Sequence, residues 1–343
     1  MFQIFNFEKQ VVDYIDQTRT FWDAYNAREE QTWQLPHVDV FVTDFFTIKK
    51  FTHRPYATEA VFVNPPRAGH HSNIAQLVIE YYIKNTNYEV FSSDHHSATQ
   101  ETKNYGIEEV VSQVDCVYNC IPFKKIHLAG LCQGGWGNVI WAALNPEKVK
   151  SIIIAGTPID FQIDGGKCQM WLDVMPQSTI ENIIKSNNGI WPGKYQLCGF
   201  KMLNPVDRYL TTNSELMEYV IAKDEKKIKK WIRNNSWYEY VMDLPGKMIK
   251  QVRKNLFGMN ELIKGELVLF DKRVLLQNIT CPIGCITGDD DDITLERQCT
   301  EIFNYVSSDQ KIHFHIPNCG HIAIFLKGQS LEIWGETIKF VGR

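Results

Sequence analysis

The chain has 343 residues, 44% of them hydrophobic, and a formal net charge of -4. Its length exceeds the ~100–200 residues of one ordinary domain, so a large core with an inserted subdomain is expected, and its near-balanced charge gives no electrostatic reason to bind nucleic acid. Nine cysteines, an odd number with no zinc-type Cys-x-x-Cys pair, read as reduced thiols in a cytoplasmic protein, and no segment approaches the ~20 apolar residues needed to span a bilayer.

Residues 1–38 form an N-terminal helical segment. Glu8, Asp13 and Asp16 alternate there with Val11, Ile15 and Trp22, which makes an amphipathic helix and not a signal peptide. Residues 39–161 read as the first part of the core, with a hairpin from about Asp39 to His53 and strands near Ala60, Val90, Ile126 and Ser151. Residues 162–264 carry helix-like patches and large aromatics, including Trp191, Phe200, Trp231 and Trp237, and read as a helical cap. Within them the basic stretch Lys223 to Arg233 places Ile228, Trp231 and Ile232 at helical spacing, so it is expected to be an amphipathic helix with a solvated face. Residues 265–343 return to the core. Strands alternating with helices predict the α/β class, with a mostly parallel central sheet covered by helices on both faces.

The chemistry concentrates at three strand ends. His127-Leu128-Ala129-Gly130-Leu131-Cys132-Gln133-Gly134-Gly135-Trp136 is a strand, a glycine-flanked turn and a helix start, and it sets Cys132 where a nucleophile elbow carries its attacking residue. Trp136, Val139, Ile140 and Leu144 continue at 3.6-residue spacing until Asn145-Pro146 stops the helix. Cys281 to Gly288 reads as an apolar strand opening into the acidic run Asp289 to Asp292. The Gly-x-x-Asp-x-Ile spacing selects Asp291, with Asp290 and Asp292 as alternatives. Lys311 to Ile316 alternates as a strand, and His321 follows in the loop Asn318-Cys319-Gly320-His321. The chain order nucleophile, acid, histidine is that of the α/β-hydrolases. An oxyanion hole would take the N–H of Gln133 together with those of Arg67 and Ala68, because Pro65 and Pro66 before them have no N–H to give.

The other ionisable clusters read as structure. Asp289 to Asp292 lacks the alternating ligands, central glycine and terminal glutamate of an EF-hand loop. His127 lies within a strand. His313 and His315 share a strand face, but no third ligand stands at a recognisable spacing, so no metal is expected.

With these residues in view the chain resembles the polyhydroxyalkanoate synthases, particularly those with a short catalytic subunit. Gly130 to Gly135 looks like their cysteine-bearing lipase box, and Asn145 to Val149 with Gly156-Thr157-Pro158-Ile159-Asp160-Phe161 continues the likeness. Trp191-Pro192-Gly193 with Gly199 to Pro205 resembles a cap segment, Asn260 to Leu267 the re-entry into the core, and Gly320-His321-Ile322-Ala323 the histidine loop. The resemblance implies an α/β-hydrolase fold with an inserted helical cap, Cys132 as acyl-carrying nucleophile, Asp291 as acid and His321 as base. It implies an acyl-CoA or polyester substrate and no cofactor beyond the CoA of that thioester. The partners it suggests are a second copy of the chain, a partner subunit or the surface of a polyester granule.

Two segments depart from the synthases. After Pro65-Pro66 those enzymes usually present an asparagine and a lysine before aromatic residues, whereas this loop runs Arg67-Ala68-Gly69-His70-His71. Ser92 to Thr99 looks closer to depolymerase-like or uncharacterised relatives than to polymerising members. The first expectation is therefore a synthase-like acyltransferase acting on 3-hydroxyacyl-CoA thioesters. The second is a polyester depolymerase or acyl thioesterase with the same triad. A non-catalytic granule-coating protein is the reading from a different class.

Overall fold

The computed structural model describes residues 2–342. Among the described residues there are twelve strands: β1 Val38–Val42, β2 Phe46–Lys50, β3 Ala60–Asn64, β4 Glu89–His95, β5 Ile126–Leu131, β6 Val149–Ala155, β7 Ile190–Trp191, β8 Leu244–Pro245, β9 Val268–Leu269, β10 Lys272–Arg273, β11 Ile283–Gly288 and β12 Lys311–Ile316. The α-helices are α1 Phe2–Asn26, α2 Gln76–Asn85, α3 Ile107–Asn119, α4 Gln133–Leu144, α5 Lys167–Val174, α6 Gln177–Ser186, α7 Gly193–Leu203, α8 Thr212–Ile221, α9 Glu225–Glu239, α10 Gly246–Gln251, α11 Glu261–Lys264, α12 Glu296–Thr300, α13 Ala323–Leu326 and α14 Gly328–Val341.

Eight strands form one sheet in the order β1-β2-β4-β3-β5-β6-β11-β12. β2 runs antiparallel to both β1 and β4, and every other pair is parallel. Every residue of β3, β5 and β11 is buried, as expected of parallel strands covered on both faces. The edge strand β1 is exposed throughout and its pairing shifts between Asp39 and Phe41, a bulge that interrupts a regular edge. α3 shows how the covering helices are specified. Val110, Val114 and Val117 recur on its buried face, and the Glu109 carboxylate accepts from the Gly106 N–H at its start.

The sequence places the return to the core near Leu267, and the chain does turn inward there without joining the sheet. Among the described residues β9 pairs with β10 alone, around Phe270 and Asp271 at φ 51° and 57°. Two successive left-handed residues close a tight hairpin, so the sheet itself resumes at β11. Between the adjacent strands β6 and β11 lies the long insertion that contains α5 to α11. No helix among the described residues is long and apolar enough to cross a membrane.

The chain divides into two compact units. The larger holds Trp33–Gly193 with Met242 onward, including the whole sheet. The smaller joins α1 to Lys194–Val241, and its core is Ala24, Leu216, Val220 and Trp231 with Phe21, Tyr25, Ile228 and Ile232 packed around them.

Candidate active site

Strand register brings the candidate residues to one end of the sheet. Gly130 is level with Asn64, Leu131 with Ala155, Ala155 with Ile286, and Gly288 with Ile316. The loops after β5, β6, β11 and β12 therefore open side by side at the carboxyl ends of parallel strands, where open α/β sheets place their ligands.

Cys132 leaves β5 at φ 50° and ψ -118°, a strained conformation for a residue with a side chain. The backbone around it holds it there. The Cys132 N–H donates to Ala155 O at 2.9 Å, and its own carbonyl accepts from the Gly135 N–H at 2.9 Å and the Thr157 hydroxyl at 3.0 Å. A Cβ on Gly134 would run into Asn64 O and come within 2.9 Å of Pro65 O, while one on Gly135 would strike the Thr157 side chain. Glycine is thus required by close approach of neighbouring chain, which seats the loop after β3 against the first turn of α4.

His321 and Asp291 meet directly. His321 Nδ1 stands 2.8 Å from Asp291 Oδ2, and the other carboxylate oxygen accepts from the N–H groups of Ile293 at 3.0 Å and Thr294 at 2.9 Å. The Cys132 sulfur lies near enough to the same imidazole to act on it electrostatically. Burial opposes a charge on His321, yet the Asp291 carboxylate and the Cys132 sulfur together hold its pKa well above the ordinary value. Gly156 at φ 52° lies below the ring, where a Cβ would come within 3.1 Å of Cε1. Phe325 packs its ring edge-on to His321 at 5.5 Å between centroids.

The four aspartates after β11 separate into distinct tasks. Asp289 accepts from the Cys319 N–H at 3.1 Å, Asp292 pairs with Lys167 at 2.6 Å, and Asp290 is exposed. Of the four, Asp291 is the one bonded to His321.

Gln133 is the first residue of α4, so its N–H has no partner within the helix ladder. Arg67 and Ala68 are buried in the loop after β3. The Arg67 side chain turns towards the end of β2: its guanidinium stacks on Phe45 at 3.5 Å and donates to the carbonyls of Phe45 and of His96. Burial lowers its pKa to about 9. Farther along the loop, His71 Nδ1 accepts from the Asn73 N–H at 3.0 Å and opens a short 3-10 turn.

Three features had no clear signal in the sequence. Thr157 ties β6 to the Cys132 carbonyl, and Asn64 donates to Asn138 at 2.8 Å beneath the elbow. Cys168, near the start of α5, lies close enough to Cys132, Asp291 and Asp292 to feel their charges, and burial followed by those charges pushes its thiol up to about 12. The two segments Gly156–Phe161 and Asn260–Leu267 also meet: Asn260 donates to Asp160 at 2.7 Å and accepts from the Phe161 N–H at 3.0 Å.

This sheet, with a strained elbow and an aspartate and a histidine at neighbouring strand ends, has the α/β-hydrolase fold. The chain belongs to the family described as "Protein of unknown function (DUF3141)", whose model matches residues 59–333. In sequence it is polyhydroxyalkanoate synthase-like. It is 27% identical over 222 residues to a poly(3-hydroxyalkanoate) polymerase subunit PhaC of Synechocystis sp., covering 63% of this chain and 57% of that one. It is 23% identical over 318 residues to the PhaC subunit of Haloferax mediterranei, covering 90% of this chain and 59% of that one. The chain thus spans less than two thirds of the length of these curated relatives. Among solved structures it is similar in fold to a carboxylesterase of Nitrososphaera gargenis, with TM-score 0.56, 13% identity and 90% and 98% of the two chains covered. A Bacillus megaterium epoxide hydrolase variant gives TM-score 0.55 at 14% identity, covering 89% of this chain and 100% of that one.

Proposed function

We propose that the chain is an acyltransferase of the polyhydroxyalkanoate synthase type, carrying the acyl group of a 3-hydroxyacyl-CoA thioester on Cys132. The observation that carries the reading is the strained Cys132 elbow beside the buried His321–Asp291 pair. His321 accepts the thiol proton, and the thiolate attacks the thioester carbonyl. The oxyanion is held by the N–H of Gln133 and by those of Arg67 and Ala68. Collapse of the tetrahedral intermediate breaks the bond to the CoA sulfur, which leaves as the thiol with the proton from His321. The hydroxyl of a second 3-hydroxyacyl group then gives its proton to His321 and attacks the acyl-cysteine, forming an ester and freeing Cys132. Asp291 holds the imidazole's tautomer and stabilises its cationic form.

A second reading, hydrolysis by a thioesterase or polyester depolymerase, draws support from the loop after β3, where Arg67, His70 and His71 replace the residues usual in synthases. Water in place of the hydroxyl gives a free acid from the same acyl-cysteine. Incubation of the purified protein with 3-hydroxybutyryl-CoA, with free CoA, free acid and ester-linked oligomer measured separately, distinguishes the readings. Oligomer in excess over free acid supports the transferase, and free acid equal to released CoA supports the hydrolase. No CoA release above that of Cys132→Ala rejects both.

A further inference from the structure

On the face of β12, His313 and His315 lie beside a residue from another element. Glu296, the first residue of α12, places its Oε2 2.9 Å from His315 Nδ1. The ligand-capable atoms of His313, His315 and Glu296 all lie within 4.8 Å of one another. The Thr287 hydroxyl, from β11 alongside, gathers the two rings: it is 2.7 Å from His313 Nε2 and 3.2 Å from His315 Nδ1. His315 Nδ1 therefore meets both Glu296 and Thr287, and Thr287 links it to the His313 ring. His313 is half-buried, while His315 and Glu296 are open to solvent.

We propose that His313, His315 and Glu296 form a binding site for a divalent transition-metal ion of the zinc type. Two imidazoles and one carboxylate are a donor set that such an ion accepts, with a water completing the tetrahedron. Zinc–ligand bonds of ~2.0–2.2 Å require the three donors to draw in from their present spacing, and Glu296, exposed at a helix start, has the freedom to do so. An ion bound at His315 Nδ1 displaces the Thr287 hydroxyl from that nitrogen, because one lone pair cannot serve both, and Thr287 then turns away or keeps its contact with His313 alone. The site is independent of the acyl-transfer reading, but its position has a consequence. Glu296 follows Asp291 on the same segment, and His315 precedes His321 on the strand that leads to it, so a bound ion ties together the two segments that carry the acid and the histidine.

The test is titration of chelator-treated protein with zinc chloride by calorimetry, and with cobalt(II) by absorption. The same titrations are run on His315→Ala and Glu296→Gln. One equivalent of zinc is expected, weakened at least about tenfold by each substitution, as loss of a ligand should do. Cobalt is expected to give visible bands without the near-ultraviolet charge transfer of a thiolate. Melting curves serve as a second readout: zinc should raise the midpoint of the parent and leave that of His315→Ala unmoved. Affinity that survives either substitution, a sulfur-ligated cobalt spectrum, or absence of binding at millimolar zinc overturns the proposal.

Discussion

The Asp291 carboxylate uses both of its oxygens: Oδ2 meets His321 Nδ1 at 2.8 Å while Oδ1 caps the N–H groups of Ile293 and Thr294. The carboxylate is thereby fixed in orientation as well as in place, and the histidine inherits that orientation. Asp291→Asn keeps an oxygen for the caps and loses the charge. Turnover is expected to fall by about two to four powers of ten, as loss of a triad carboxylate can cause. Asp290→Asn, at an exposed neighbour, should stay near the parent rate. Initial rates of CoA release compare the two, and greater damage at Asp290 would misplace the acid.

The same substitution has a pH signature. His321 has a raised pKa in the folded protein, so its cationic form contributes stability that is fully present below the ordinary histidine value of about 6.5. That contribution is lost as pH rises through the raised folded value. The gap in urea midpoint between the parent and Asp291→Asn should accordingly be widest at mildly acidic pH and narrow towards alkaline pH. A gap that is constant with pH would uncouple the two groups.

Cys132 is held at φ 50° by its surroundings. Replacing it with glycine removes the Cβ that makes this conformation costly, a strain of about 1–3 kcal/mol, partly offset by the freer unfolded chain. Cys132→Gly should lose all turnover and yet unfold at higher urea than Cys132→Ala. Equal midpoints for the two variants would deny the strain.

Glycines on α4 should divide sharply by what they face. Gly134→Ala drives a methyl into the backbone of Asn64 and Pro65, which cannot move aside, and should cost about 1–3 kcal/mol or prevent folding. Gly137 meets only the Asn64 side chain, at an ordinary 3.7 Å, so Gly137→Ala should be neutral or gain up to about 1 kcal/mol from helix propensity. Denaturation midpoints decide.

Cys168, with a thiol pushed up to about 12, should stay protonated at neutral pH. Peptide mapping after brief iodoacetamide treatment of the native protein is expected to find it unmodified. Rapid alkylation at that position would contradict the raised pKa of its half-buried thiol.

Much of the sheet was legible because its cues are local. Glycine-flanked Cys132 between an apolar strand and a 3.6-period helix specifies a turn with few alternatives, and Lys311–Ile316 is the strand its alternation predicts, although Ile312, His313 and Phe314 are all partly buried in succession. The aspartate run was less legible, since four adjacent carboxylates look alike until Cys319, Lys167 and His321 each claim one. β9 misleads for a related reason: Leu267 to Leu269 is apolar enough for a sheet strand, and only the backbone at Phe270 and Asp271 turns it back on β10. Glu296 could not be paired with His313 and His315 from spacing, because the contact is made across two elements. Thr157 carries no mark that separates it from any threonine in a turn.

The smaller unit is assembled from segments far apart in the chain: α1 packs on α8 and α9, with Ala24 and Tyr25 against Leu216 and Trp231. During synthesis the first helix therefore emerges long before either partner exists. Domains are generally completed in the order in which they leave the ribosome, but this one cannot be: α1 must wait, its apolar face uncovered, until residue 239 is free. A helix made well before its partners is among the last to find its place, which makes the interval before α9 appears the one in which a chaperone or a neighbouring nascent chain can capture it.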